Sequence, residues 1–141
     1  MAGKLGIGAR FWLHNGTALQ EAADINSVTP PSPTVETIDV TTHGSAGAIR
    51  EFIAGLIDAG EGSIGVNWNA GNATDTLFAA ALASRALKAF KINVPAATGT
   101  RDFTGNCVVT GWEKSDVVVD DKMTGTLTIK VSGAITESAA A

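Results

Sequence analysis

Glu61-Gly62-Ser63-Ile64-Gly65-Val66-Asn67-Trp68-Asn69 and, shortly after it, Thr74-Asp75-Thr76-Leu77-Phe78-Ala79-Ala80-Ala81-Leu82-Ala83-Ser84-Arg85-Ala86 together decide the fold class. In the first stretch Ile64, Val66 and Trp68 share one face, and Ser63, Gly65, Asn67 and Asn69 the other. That period of two predicts a half-buried strand. The second stretch is rich in strong helix formers. Leu77, Phe78, Ala81 and Leu82 fall on one stripe of it, the face that packs on a sheet. Asn72 suits the N-cap, and Asp75 three residues on favours the positive end of the helix.

Strands extend outward on both sides. Residues 87–94 set Leu87, Ala89, Lys91 and Asn93 against Lys88, Phe90, Ile92 and Val94. A turn at 95–100 precedes strands at 102–112 and 123–132. The last of these sets Thr124, Thr126, Thr128 and Lys130 against Gly125, Leu127, Ile129 and Val131, and residues 114–121 read as its hairpin. Glu137-Ser138-Ala139-Ala140-Ala141 carries no pattern, so the expected organisation is one domain over 1–138 and a disordered tail at 139–141. Upstream, residues 9–13 read as a strand, Asn15-Gly16 as a type I′ hairpin turn, and 17–28 as the return strand. Pro30, Pro31 and Pro33 end that pairing. Residues 35–41 alternate with polar atoms on both faces. Residues 42–60 read as a long loop with one helical turn, because Ile49, Phe52, Ile53, Leu56 and Ile57 recur at roughly helical spacing while Gly55 and Gly60 interrupt it. The sum is mainly β: a small sandwich or barrel with one packed helix.

Charged residues are only 17% of the 141, hydrophobic residues 45%. A surface so poor in charge suits a subunit that hides much of itself in an assembly. The net charge of −4 argues against gripping nucleic acid, which needs clustered Lys and Arg. The single Cys107 excludes an internal disulfide framework. No apolar run spans a bilayer, and the N-terminus has no sustained apolar core, so neither a signal peptide nor export is expected.

Chemistry is sparse. His14 precedes a turn and His43 lies in a flexible segment; solvated turn histidines are the plain reading of both. Cys107 sits in an alternating strand, which suits an inert buried thiol better than a dyad with histidine. Asp116, Asp120 and Asp121 lack the alternate ligand spacing of a calcium loop, with Val117-Val118-Val119 between them. Gly3, Gly6 and Gly8 follow no strand and open no helix, so they are no dinucleotide fingerprint. No catalytic residue, metal or cofactor is expected.

Pro33-Thr34-Val35-Glu36-Thr37-Ile38-Asp39-Val40-Thr41-Thr42 resembles the strand and acidic-Thr motif of the tail tube (major tail) proteins of long-tailed bacteriophages. Arg50-Glu51-Phe52-Ile53-Ala54-Gly55-Leu56-Ile57-Asp58-Ala59-Gly60-Glu61 resembles that family's following loop and its return into the next strand. The element order around these motifs is similar over nearly the whole chain. The resemblance implies a structural, non-enzymatic subunit of the virion tail, made and assembled in the host cytoplasm. Six copies would form a ring whose strands join between subunits into one barrel, with the helix outside, and the rings would stack. The implied partners are other copies, the tape measure protein, the tail tip and terminator proteins, and double-stranded DNA in transit without specific binding. A tube subunit of a bacterial contractile secretion system shares the fold and stays open as an alternative, as does a monomeric β-sandwich binding module.

Two sets of site residues follow. The loop residues Thr42, His43, Gly44, Ser45, Arg50, Glu51, Phe52, Ile53 and Leu56 are expected to touch neighbouring copies. The channel lining is expected among Glu36, Asp39, Ser63, Asn67, Asn69, Asp116, Asp120, Asp121, Thr124, Thr126 and Thr128, wet and without net positive charge. Lys130 shares the Thr face and needs an acid, expected from a neighbouring subunit.

Overall fold

The chain leaves the first strand, β1 (Arg10–His14), through a tight loop into β2 (Leu19–Glu21) and then crosses to β3 (Ile25–Thr29). β4 (Thr34–Asp39), a short 3-10 turn (Ala46–Ala48), β5 (Phe52–Asp58) and β6 (Glu61–Asn67) follow. The helix α1 (Ala73–Ser84) comes next, then β7 (Lys88–Pro95), β8 (Thr100–Lys114) and β9 (Thr124–Ala139). The computed structural model describes residues 8–44, 46–96, 99–115, 117, 119 and 122–139. Ser45, Asp116, Asp120 and Asp121 lie outside the described residues.

A seven-stranded antiparallel sheet runs in the order β2-β1-β7-β8-β9-β6-β3, and β4 and β5 form a separate two-stranded ribbon. Only residues 22–24 connect β2 at one edge of the large sheet to β3 at the other. Four residue steps reach at most roughly 14 Å, whereas a flat seven-stranded sheet is about 29 Å across. The sheet therefore rolls until its edges approach, an open half-barrel. Its concave side holds the core: Phe11, Leu13, Ile64, Val66, Phe90, Ile92, Leu127 and Ile129 are buried there. Leu77, Phe78 and Ala81 of α1 are buried with them and Leu82 packs half-buried alongside. Phe78 meets the edges of Phe11 at 6.2 Å and Trp112 at 5.0 Å, the T-shaped arrangement aromatic quadrupoles favour.

Asp75 fastens the helix to the sheet. Its backbone N–H donates to Asn72 Oδ1 (2.8 Å), the N-cap bond. Its Oδ1 accepts from Trp68 Nε1 (3.1 Å) and Trp112 Nε1 (3.0 Å), and its Oδ2 from the Gly71 amide (3.0 Å). The Gly71 bond, then the two indoles and the nearby Lys114 charge, hold the Asp75 carboxyl below its ordinary range. α1 ends where Arg85 turns left-handed (φ 53°).

Three sequence expectations are corrected. The N-terminal hairpin forms, but not through a type I′ turn: Gly16 alone has positive φ there, and Asn15 Oδ1 caps the loop by accepting from the Thr17 and Ala18 amides. The single return strand over 17–28 is two strands at opposite edges. The break is pinned from afar, with the Ala23 amide donating to Thr74 Oγ1 and the Asn67 amide to the Asp24 carbonyl. The second half of the segment 42–60 is strand rather than loop: β5 pairs antiparallel with β4, Thr34 opposite Asp58 and Asp39 opposite Phe52. Gly55 lies within β5, where a Cβ would sit 3.3 Å from the Glu36 carbonyl oxygen. The last strand runs on through Glu137, Ser138 and Ala139, which pair with Phe103, Asp102 and Arg101; residues 140 and 141 lie outside the described residues.

Candidate assembly surfaces

The ribbon is exposed along its whole length. Every residue of β4 is exposed, and in β5 only Gly55 is partly covered. Val35, Ile38, Val40, Phe52, Ile53, Leu56 and Ile57 stand in solvent, with Leu56 81% accessible. None belongs to the core. A lone two-stranded ribbon is marginal in water. This one is helped at its far end, where the Thr41 hydroxyl accepts from the Glu51 amide (2.7 Å) and Arg50 reaches Asp39 (3.2 Å). Hydrogen bonds from Thr41 first, and then from Arg50, keep the Asp39 carboxyl below its ordinary range. Thr42, His43 and Gly44 are exposed in the connecting loop.

β3 leads into β4 and β5 into β6, so the ribbon prolongs the β3–β6 pair beyond the large sheet. The bend falls at residues 30–33 on one arm and at Gly60 on the other. Gly60 is obligatory there: its φ is +89°, and a Cβ would lie 2.5 Å from the Ser32 carbonyl oxygen.

The second surface is the face of the seven-stranded sheet turned away from the core. Register brings Ser63 opposite Thr128 and Asn67 opposite Thr124, with Thr126 opposite Gly65 and Glu113. Five of the expected lining residues thus share one face. The others do not. Asn69 lies in the turn before α1, its carbonyl accepting from the Asn72 amide (3.1 Å), and Glu36 and Asp39 are on the ribbon.

Sequence reasoning missed a cluster on this face. Trp12 stacks between the Arg10 guanidinium (4.8 Å) and the Lys91 ammonium (4.7 Å). Arg10 makes two bonds of 2.7 Å to Glu21, and Asp102 accepts from Asn93 (2.7 Å) with Lys91 at 3.6 Å. The alternation of β1 and β7 was visible, but only the register Trp12 to Lys91 and Asn93 to Asp102 brings these side chains together. Lys130 lies 3.7 Å from Asp58 and 3.9 Å from Glu61, so its acids come from its own chain. On this face Arg10, Lys91 and Lys130 stand against Glu21, Glu61, Asp102 and Glu113.

His14 Nδ1 accepts from the Gly16 amide (3.0 Å), a turn contact. Burial pushes the Cys107 thiol up to about 12, far from the thiolate a nucleophile needs. Among the described residues no group of three or more His, Cys, Asp or Glu could hold a metal ion, and no helix is long and apolar enough to cross a membrane.

The fold and sequence have relatives. Residues 14–138 match the family described as lambda phage tail tube protein. The tail of an empty gene transfer agent particle, refined helically with C6 symmetry, contains a chain similar at TM-score 0.77 and 19% identity, over 97% of this chain and 100% of that one. A chain of the SPP1 tail tube is similar at TM-score 0.66 and 11% identity, over 94% and 77%. One from the sheath-tube terminator of an extracellular contractile injection system is similar at 0.67 and 13%, over 98% and 99%. Among curated proteins, none matches the sequence.

Proposed function

The chain belongs to the lambda phage tail tube protein family, and on that premise we propose that it is the structural subunit of a long-tailed phage's tail tube, stacked as hexameric rings through which double-stranded DNA is ejected. The observation that carries this reading is the ribbon. A protein with a well-filled core nevertheless leaves seven large apolar side chains of one protruding element in water. Covering them, at ~1.5–3 kcal/mol for each fully buried side chain and less for those already half-covered, supplies on the order of 10 kcal/mol per contact. A monomeric binding module has no use for such a surface. The tubes of contractile injection systems share the fold, and the sequence match to the phage family favours the phage tube over them.

The proposed lining is the sheet face bearing Ser63, Asn67, Thr124, Thr126 and Thr128, with α1 outside the tube. DNA must pass without sticking. Each phosphate neutralised by a cation releases counterions and deepens binding. Among the described residues, Arg10, Lys91 and Lys130 on this face are each held by a carboxylate of their own chain. Glu36 and Asp39 are assigned to contacts between copies, together with Thr42, His43, Gly44, Ser45, Arg50, Glu51, Phe52, Ile53 and Leu56. The tape measure protein would occupy the channel before DNA, and the tip and terminator proteins would close its ends. The subunit would be made and polymerised in the host cytoplasm and end in the virion tail, with no catalytic step or cofactor.

Negative-stain microscopy and light scattering of the purified protein test the reading, with hexamers or tubes expected. A strict monomer at high concentration across salt conditions would sink it. Removing residues 43–48 at the ribbon's tip should leave a folded protomer that forms no tubes.

A further inference from the structure

Asn15-Gly16 is the one place in the sequence where glycine follows asparagine. That order matters chemically. The main-chain nitrogen of the following residue can attack an asparagine side-chain carbonyl and close a five-membered imide, and a side chain on that residue crowds the attack. Gly16 has none, its φ is +101°, and nothing lies within 4 Å of where a Cβ would stand. In an ordinary chain two obstacles remain. An amide nitrogen is a poor nucleophile while it keeps its proton, and the tetrahedral intermediate carries a negative oxygen.

The turn between β1 and β2 meets both. The Gly16 N–H donates to His14 Nδ1 at 3.0 Å, so an imidazole nitrogen already holds the proton that must leave. Asn15 Oδ1, where the negative charge would develop, accepts from the Thr17 and Ala18 amides at 2.9 and 3.0 Å. Two main-chain donors on the oxygen of an attacked carbonyl make an oxyanion hole. Asn15 Nδ2 donates to Gln20 Oε1 at 3.1 Å, and the Asn15 amide to the Ala18 carbonyl at 3.0 Å. These bonds hold the reacting groups in place. Asn72 is the contrast: its Oδ1 also accepts an amide, that of Asp75, but Ala73 follows it.

We propose that this turn modifies itself, with His14 as the base that drives deamidation of Asn15. His14 takes the Gly16 proton as the Gly16 nitrogen bonds to Asn15 Cγ. The imidazolium then gives that proton to Nδ2, the Cγ–Nδ2 bond breaks and ammonia leaves. Water opens the resulting succinimide, and Asn15 to Ala18 are exposed to it. Addition at Cγ gives aspartate at position 15; addition at the main-chain carbonyl gives isoaspartate, with an extra methylene in the main chain. Either product makes the chain one unit more negative than its formal −4. Either also removes the donor to Gln20 and loosens the hairpin at one edge of the large sheet. No second copy takes part, so the change runs in the lone protomer.

Peptide mapping by mass spectrometry during incubation at neutral pH tests it, with Asn72 in the same digest as the control. A positioned acid–base group contributes ~100-fold or more, so Asn15 should convert at least about tenfold faster in the folded protomer than in the guanidinium-unfolded chain. His14→Ala should slow the folded rate by a similar factor. Free imidazole should restore the rate in that variant and leave the parent's unchanged. A folded rate no faster than the unfolded one, or a His14→Ala rate equal to the parent's, overturns the self-modification; neither result touches the tube reading.

Discussion

Replacing Asp75 with alanine removes the acceptor for three hydrogen bonds at once: two indole N–H groups and the Gly71 amide, at 3.0–3.1 Å. A bond to a charged acceptor contributes about 1.5–3 kcal/mol net. The half-buried Trp68 regains some water, whereas the buried Trp112 loses its partner outright. The expected loss is therefore about 4 kcal/mol rather than the full sum. Between the size classes for which the conversion is known, that corresponds to roughly 15 °C in Tm. Asp75→Asn keeps an oxygen for the indoles but cannot accept from Gly71, and should cost about 1.5 kcal/mol. Urea unfolding of dilute protomer, followed by far-UV circular dichroism and tryptophan fluorescence together, measures both. A loss below about 1 kcal/mol for Asp75→Ala would show that the helix is held by its apolar stripe alone.

The folded-state carboxyls of Asp75, Glu21 and Asp39 all lie below their ordinary values, Glu21 chiefly through its bonds from Arg10. Depressed values contribute stability that is present above the unfolded pKa, near 4, and lost as pH falls through the folded values; acid titration of the protomer should show destabilisation beginning below about pH 4, and a flat profile down to pH 2 would contradict it. Leu56→Lys should change protomer stability by no more than about 0.5 kcal/mol, as for an exposed site, yet prevent tubes, read by melting and microscopy. Gly60→Ala forces a side chain into the Ser32 carbonyl at an unfavourable φ, and should cost ~1–3 kcal/mol in urea unfolding. Cys107 should resist a thiol reagent at pH 8 in the folded protomer and react once urea unfolds it; equal rates in both states would refute its burial.

What the sequence disclosed was whatever alternates locally. Ile64, Val66 and Trp68 against Ser63, Gly65 and Asn67, the stripe from Leu77 to Leu82 and the Asn72 cap are set by neighbours a few residues away. The ribbon was hidden because Phe52, Ile53, Leu56 and Ile57 are apolar on both of its faces, a pattern that mimics helical spacing. The break between β2 and β3 depends on Thr74, 51 residues from its partner Ala23, so no local pattern encodes it. Asp75 was legible as a charge at a helix start, but its indole partners lie 7 and 37 residues away. The end of β9 looks featureless because what orders it is β8, including the pair Arg101–Glu137, 36 residues apart. Of the proposed lining, the Ser and Thr face was visible by alternation. The Arg10–Trp12–Lys91 stack was not, since register alone creates it.

The strand order β2-β1-β7-β8-β9-β6-β3 interleaves the two ends of the chain, and that has a consequence in time. Ribosomes add roughly 5–20 residues per second, so the 141 residues take about 7–30 s to appear. The apolar ribbon is made in the first half of that interval. The sheet cannot form until β7, β8 and β9 exist, and β9 comes last. A nascent chain therefore carries the exposed apolar ribbon before it has a finished sheet. On the proposed tube reading, the order of synthesis keeps a subunit from joining another until its last strand is made.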